Sequence, residues 1–373
     1  MKYARIFLFI SLSFSLLNRP VFSQESRKKT IGHDVAVIAV SFAVTVQDRR
    51  GRSVNDLTRE DFSVFENGEK REITYFSRDF EAPVSLTVLL DVSGSMALLN
   101  KLEECKKVLA FLAASLMRPC DEISLLIFAD GEVEVAVDFS RSRRDFVSVL
   151  EKTEAYGQTA LNDAVAVSPE YANKGTNEKR ALLLITDGIE NDSQYSYDQA
   201  VEIAGRVDVP IYTIGYKIPL SEQVLRKYKR IPALTPSGII SSLESFSNAT
   251  GGRAFFLTQP EELRPVFIRI KQELSYQYIL GYTSHSDPNG GFRQIDVTTS
   301  KRRFKVRTRE GYYSGDKLTE DVRPRADAVG KTPGEGELKV AADFRLNPHG
   351  EYFGEKRNEE RFGYQPESVH QEK

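Results

Sequence analysis

Two cysteines and four histidines in 373 residues leave little material for a zinc site or a disulfide scaffold. Charge of one sign is scarce as well: 51 Lys and Arg oppose 53 Asp and Glu, a formal net of −2. A general nucleic-acid binder needs a basic face to displace counterions from phosphate, so that class is set aside. Beyond the amino end, no segment approaches the roughly 20 apolar residues that span a bilayer. The length suits two or three domains of roughly 100–200 residues each. The expectation is a mildly acidic, soluble, multi-domain chain.

The amino end carries a compartment signal. Its first 23 residues hold three basic side chains, Lys2, Arg5 and Arg19, and no acid. Lys2 and Arg5 precede an apolar run over residues 6–17, and Val21-Phe22-Ser23 precedes Gln24. A basic start, about a dozen apolar residues and a small residue at the cut form the layout of a cleaved signal peptide. As an anchor the run is too short. An exported chain, periplasmic or extracellular, is expected, cut after Ser23 and with no transmembrane segment in the mature form. That form carries 48 positive and 53 negative side chains, a net of −5.

Cys105 lies in a stripe of Leu102, Cys105, Leu109, Leu112 and Leu116, spaced by three and four as on one buried helix face. Cys120 follows that helix. About twelve helical residues would separate the two thiols by about 18 Å, far beyond the roughly 7 Å that a disulfide allows between α-carbons. Two free, buried thiols are expected.

Residues 34–80 read as β, with Asn67-Gly68 as a tight hairpin turn between two strands and Thr58-Arg59-Glu60-Asp61 as a capped turn before Phe62. Residues 84–275 alternate strand and helix. Apolar runs at 84–90, 123–129, 181–185, 211–214 and 254–257 are separated by helical periodicity at 98–117, 160–172, 197–207 and 261–274. Near-continuous apolar strands between helices imply a doubly wound, mostly parallel sheet covered on both faces. Residues 132–139 follow Asp130-Gly131 directly and are expected to form an antiparallel edge hairpin. Gly251-Gly252 reads as a helix end. Residues 276–314 return to β, with Lys301-Arg302-Arg303 read as a hairpin turn. The two β regions are expected to pair, making the α/β unit an insertion within a sheet or sandwich. The charged stretch 315–373 is expected to be largely disordered.

The chemistry gathers at strand ends. The first parallel strand runs into Asp91-Val92-Ser93-Gly94-Ser95-Met96 before a helix. In an open α/β sheet, ligands bind outside the carboxyl ends of strands, where the strand order reverses. Asp91, Ser93 and Ser95 offer hard oxygen ligands within one turn. Thr159 stands before another helix, and Asp187, followed by Gly188, ends the strand 182–186. Two carboxylates and three hydroxyls suit Mg²⁺, which takes oxygen ligands and usually keeps several waters. Each piece alone has a plainer reading: Asp at a strand end is often an N-cap, and Asp-Gly often only a turn.

Taken together, Asp91-x-Ser93-x-Ser95, Thr159 and Asp187 resemble the complete metal-ion-dependent adhesion site of von Willebrand factor type A domains. The likeness continues outside the α/β unit. Val46-x-Asp48-x-x-Gly51, Leu57-Thr58-x-x-Asp61-Phe62 and Glu66-Asn67-Gly68 belong to it, with Tyr278-Ile279-Leu280-Gly281-Tyr282, Gly291-Phe292-Arg293 and Val306-Arg307-x-Arg309-x-Gly311-Tyr312-Tyr313. Over residues 34–314 the chain resembles secreted bacterial proteins with a von Willebrand factor type A-related domain. Gln158 departs from the pattern, where many relatives have a second Gly, and is expected to alter the loop without removing Thr159.

The resemblance implies an exported adhesion or assembly module. Its metal, Mg²⁺ or alternatively Mn²⁺ or Ca²⁺, accepts an Asp or Glu carboxylate from a protein partner, with no catalytic residues. A metal-dependent hydrolase is the alternative, since carboxylates near Mg²⁺ can activate water. Against it, no His or Lys recurs beside the motifs to act as base or phosphate clamp. A structural envelope-assembly protein without a functional metal site is a third reading.

Overall fold

The computed structural model describes residues 37–218, 235–285, 291–301 and 303–314. The expected signal peptide and the charged tail lie outside them. The chain opens with β1 (Val37–Gln47), β2 (Phe62–Glu66), β3 (Glu69–Arg71) and β4 (Ile73–Ser77). Asn67 and Gly68 take φ of 50° and 81°, the left-handed pair that closes a two-residue hairpin between β2 and β3. The turn before Phe62 is secured by Asp61, which accepts the Thr58 backbone N–H at 3.0 Å.

A six-stranded sheet follows, built from β5 (Val84–Asp91), β6 (Glu122–Ala129), β7 (Glu132–Ser140), β8 (Lys179–Thr186), β9 (Ile211–Tyr216) and β10 (Ala254–Leu257). Their order is β10-β9-β8-β5-β6-β7, parallel throughout except for the antiparallel edge strand β7. The apolar runs are nearly continuous because successive side chains feed two different cores. Leu86, Val88 and Leu90 of β5 join one cluster and Leu89 the other; Leu183 and Ile185 of β8 oppose Leu182 and Leu184 in the same way.

Helices cover both faces: α1 (Gly94–Ala97, a single turn), α2 (Lys101–Phe111), α3 (Arg143–Lys152), α4 (Leu161–Ala172), α5 (Tyr197–Gly205), α6 (Pro236–Thr250) and α7 (Pro260–Ser275). Side chains of α2, α3 and α7 pack into one core, and those of α4, α5 and α6 into the other. The chain finishes with β11 (Tyr278–His285), β12 (Phe292–Thr299), β13 (Lys305–Arg307) and β14 (Gly311–Tyr313). β1 pairs with β11 across the whole α/β insertion, Val40 opposite Tyr282. Two four-stranded sheets result, β13-β1-β11-β4 and β14-β12-β2-β3. They share a core that includes Phe42, Val64, Tyr278 and Ile295, so the flanking β segments form a sandwich.

Three expectations change. Both thiols are free, but only Cys105 is buried; Cys120 is exposed, because the stripe ends before it. The stretch around Lys301 joins β12 to β13 in the other sheet, not a hairpin partner. The expected helix over 98–117 begins only at Lys101. Leu99 and Asn100 stand before it with φ of 55° and 60°, and residues 112–116 widen into a π turn.

Candidate metal centre

The strand order reverses between β5 and β8: the chain leaves β5 for β6 on one side and later fills β8, β9 and β10 on the other. Asp91 ends β5 and Asp187 follows β8, so both carboxylates emerge at that crevice. Asp91, Ser93 and Asp187 are fully buried, Thr159 is 1% exposed and Ser95 7%. Buried oxygens in this number need a shared purpose or a dense hydrogen-bond network.

Three loops are stitched together by hydrogen bonds. The Gly94 N–H donates to the Gly157 carbonyl at 3.0 Å, and a Cβ at Gly94 would lie 3.2 Å from that oxygen. The Thr159 carbonyl accepts from the Asn191 and Asp192 N–H groups, while Asn191 Oδ1 accepts the Thr159 N–H at 2.8 Å. Thr186 Oγ1 donates to Asp91 Oδ2 at 2.6 Å, tying β8 to β5. The Ser93 and Ser95 hydroxyls lie 3.2 Å apart. The loop holding Thr159 turns at Gly157, where φ is +66° and a Cβ would strike the Asp130 carboxylate. Gln158 is held by that carboxylate, its N–H donating to Asp130 Oδ1 at 2.7 Å. Asp130 thus serves as hairpin residue and loop anchor together.

The electrostatics are unbalanced. Burial, and then the negative charge of Asp187, push the Asp91 carboxyl up to about 7; hydrogen bonds from Thr186 and Ser93 oppose this only in part. A lysine does stand at the site, contrary to the sequence reading. Lys101, 4% exposed at the start of α2, donates from Nζ to Asp187 Oδ2 at 2.6 Å. The sequence carried one signal for it: Lys101 lies four residues before Cys105, on the same buried stripe. Thr186 and Asn191 also escaped notice, since a strand-end Thr and a loop Asn are common in any α/β chain.

The donor chemistry fits a hard divalent ion. Among the described residues no three His, Cys, Asp or Glu side chains gather as metal ligands. The crevice instead offers two carboxylates and hydroxyls, an oxygen-only set suited to Mg²⁺.

Residues 86–190 match the family model described as von Willebrand factor type A domain. Over that segment the chain is similar to von Willebrand factor type A domains. A protein of Borreliella burgdorferi, described only as uncharacterized, is 24% identical over 215 residues, which cover 53% of this chain. The match spans 57% of that relative's length. The chain is also similar to two solved structures. One is the conserved hypothetical protein BatB from Bacteroides thetaiotaomicron, with 16% identity and a TM-score of 0.39, covering 51% of this chain and 98% of that one. The other is the vWF domain of the type V pili tip protein Mfa5 from Porphyromonas gingivalis, with 12% identity and a TM-score of 0.41, covering 51% and 94%. Among the described residues, no helix is long and apolar enough to cross a membrane.

Proposed function

We propose that this protein is an exported, Mg²⁺-dependent protein-binding module of the adhesion or assembly kind. Asp91, Ser93, Ser95, Thr159 and Asp187 would hold the ion, with Mn²⁺ or Ca²⁺ as alternatives. The observation that supports this reading is that five buried oxygen-bearing residues stand on three mutually bonded loops beside the switch point of the sheet. A bound divalent ion would supply an electrophilic centre that accepts a carboxylate from an Asp or Glu of the partner. The chain's own residues do the rest. Asp91 is aligned by Thr186 and its Oδ1 accepts the Ser93 N–H at 2.9 Å. Asp187 Oδ1 accepts the Ile189 N–H at 3.1 Å, which fixes its carboxylate plane.

The surroundings suit contact with a protein. Leu98 is 52% exposed, Leu99 74% and Tyr156 44%, all within seven residues of a proposed ligand in sequence. The Tyr156 N–H donates to the Val92 carbonyl at 2.8 Å, which holds that residue beside the first loop. Apolar residues at a rim provide the area that one carboxylate–metal bond lacks.

Partner capture from an envelope extract tests this reading. Wild-type protein with Mg²⁺ is expected to retain a partner that chelator releases and that Asp91→Ala never retains. A partner held equally in chelator and by Asp91→Ala would contradict it.

A further inference from the structure

Lys101 is the one cation bonded to a proposed ligand among the described residues. The neighbouring lysines are engaged elsewhere: Lys106 Nζ donates to Glu103 and to the Glu151 carbonyl, and Lys217 Nζ to Glu104 and the Leu99 carbonyl. A lysine ammonium is heavily hydrated in water, so burying it at 4% exposure needs a strong partner. Asp187 is that partner, within a pair of carboxylates that otherwise repel each other.

The backbone leading to Lys101 is unusual in its own right. Leu99 and Asn100 are consecutive non-glycine residues with left-handed φ of 55° and 60°. Asn tolerates that region, whereas Leu rarely enters it. The two residues break the path from α1 to α2, leave the Leu98 and Leu99 side chains in solvent, and aim the Lys101 side chain inward. A strained turn persists where surrounding contacts impose it. The contacts here are the Lys101–Asp187 ion pair on one side and the Lys217 hydrogen bond to the Leu99 carbonyl on the other.

We propose that Lys101 is a tethered counter-cation that fills the charge of the metal site in the metal-free protein and is expelled when a divalent ion enters. This rests on the metal reading above and adds how the site is controlled. An ion drawing on Asp91 and Asp187 would share the Asp187 carboxylate with the ammonium. Two cations on one buried carboxylate repel strongly where the dielectric is low. On this proposal the metal displaces Lys101, and the ion pair opposes metal binding by the free energy of breaking it. Because Lys101 directly follows the left-handed pair, its release frees that turn to relax. Occupancy of the site is thereby coupled to the placement of the exposed Leu98 and Leu99 at its rim.

Calorimetric titration with Mn²⁺ of the full chain, Lys101→Met and Lys101→Gln tests the first half. Both variants are expected to bind at least tenfold more tightly than wild type. Melting temperatures with and without Mn²⁺ accompany the titration: the metal-free variants are expected to melt lower, and Mn²⁺ to raise them more than it raises wild type. Equal or weaker affinity in a folded variant would overturn the proposal while leaving the metal site standing. Variants that stay unfolded even with Mn²⁺ would also overturn it, since the ion is held to replace the ammonium. If wild type, too, fails to bind Mn²⁺, the metal reading falls and this one with it. The sequence contains no tryptophan, so Leu99→Trp installs a single fluorophore at the turn. Its emission is expected to shift on Mn²⁺ addition, and to stay constant when Asp91→Ala is also present. Constant emission at saturating Mn²⁺ in the otherwise wild-type chain would sink the coupling to the rim.

Discussion

Buried carboxylates in two regions of this molecule have sharply different surroundings. In and beside the β-sandwich each is surrounded by donors. Glu273, 1% exposed on α7, accepts from Arg253 at 2.9 Å, Gln47 at 3.0 Å and Arg269 at 3.4 Å, and also from Arg307. Burial alone would push its carboxyl up, but the Arg307 and Arg253 charges outweigh it and hold the group below the usual range. Glu66 on β2 behaves likewise: burial is overcome by hydrogen bonds from Tyr312, Ser284 and Arg293 and by the charge of Arg71. At the end of the central sheet, Lys101 bonds Asp187 alone, and Asp91 is pushed upward instead. Carboxylates that hold a fold together are saturated with partners. Asp91 is left short of positive charge, so it has something to gain from a cation.

The difference can be broken most visibly at Glu273, which joins α7 of the insertion to Gln47 on β1 and Arg307 on β13. Glu273→Ala leaves three guanidinium groups facing one another and is expected to cost about 3 kcal/mol of stability, measured by denaturant unfolding. Asp91→Asn, read the same way without metal, is expected to change stability by less than about 1 kcal/mol, because removing one of two repelling charges offsets the lost hydrogen bonds. A larger loss there would make Asp91 a structural residue like Glu273.

Lys179 sharpens the contrast through pH. Its ammonium is buried, donates to the Ser275 carbonyl at 2.7 Å and lies 5.7 Å from the Phe80 ring centre. Burial lowers its pKa to about 8 from the ordinary 10.5. Between those values the unfolded chain binds the proton more tightly than the folded one, so stability should rise with pH across that window. Unfolding curves at several pH values should show this rise in wild type and lack it in Lys179→Met. An under-compensated charge therefore marks a site only where a second such group and a set of ligand oxygens accompany it.

Much of this was legible in the sequence for physical reasons. The parallel strands announced themselves because β5, β6 and β8 are apolar on both faces, and the β2–β3 hairpin because Asn67-Gly68 is the dipeptide that its left-handed turn demands. The five proposed ligands could be read because strand ends and following helices fix where such residues emerge. Helix α3 is not predicted by the sequence, and of α6 only its end at Gly251-Gly252 is. Only Phe146 and Leu150 of α3 are fully buried, and α6 is rich in Ser, which speaks weakly for a helix. Their caps were present nonetheless: Thr235 Oγ1 accepts the Gly238 N–H at 3.0 Å, and Gly251 ends α6 at φ 81°. Lys101 was illegible as part of the site because a lysine on a helix is ordinarily read as solvated. Only the left-handed Leu99 and Asn100, which no periodicity reveals, turn it inward.

The charge-poor pair at the switch point is proposed to receive a divalent ion. Calorimetric titration of the full chain with Mg²⁺ or Mn²⁺, beside Asp91→Ala, tests it most directly. Saturable binding of about one ion per chain in wild type, abolished in a folded Asp91→Ala, is the predicted result. Equal affinity in the two proteins would contradict it.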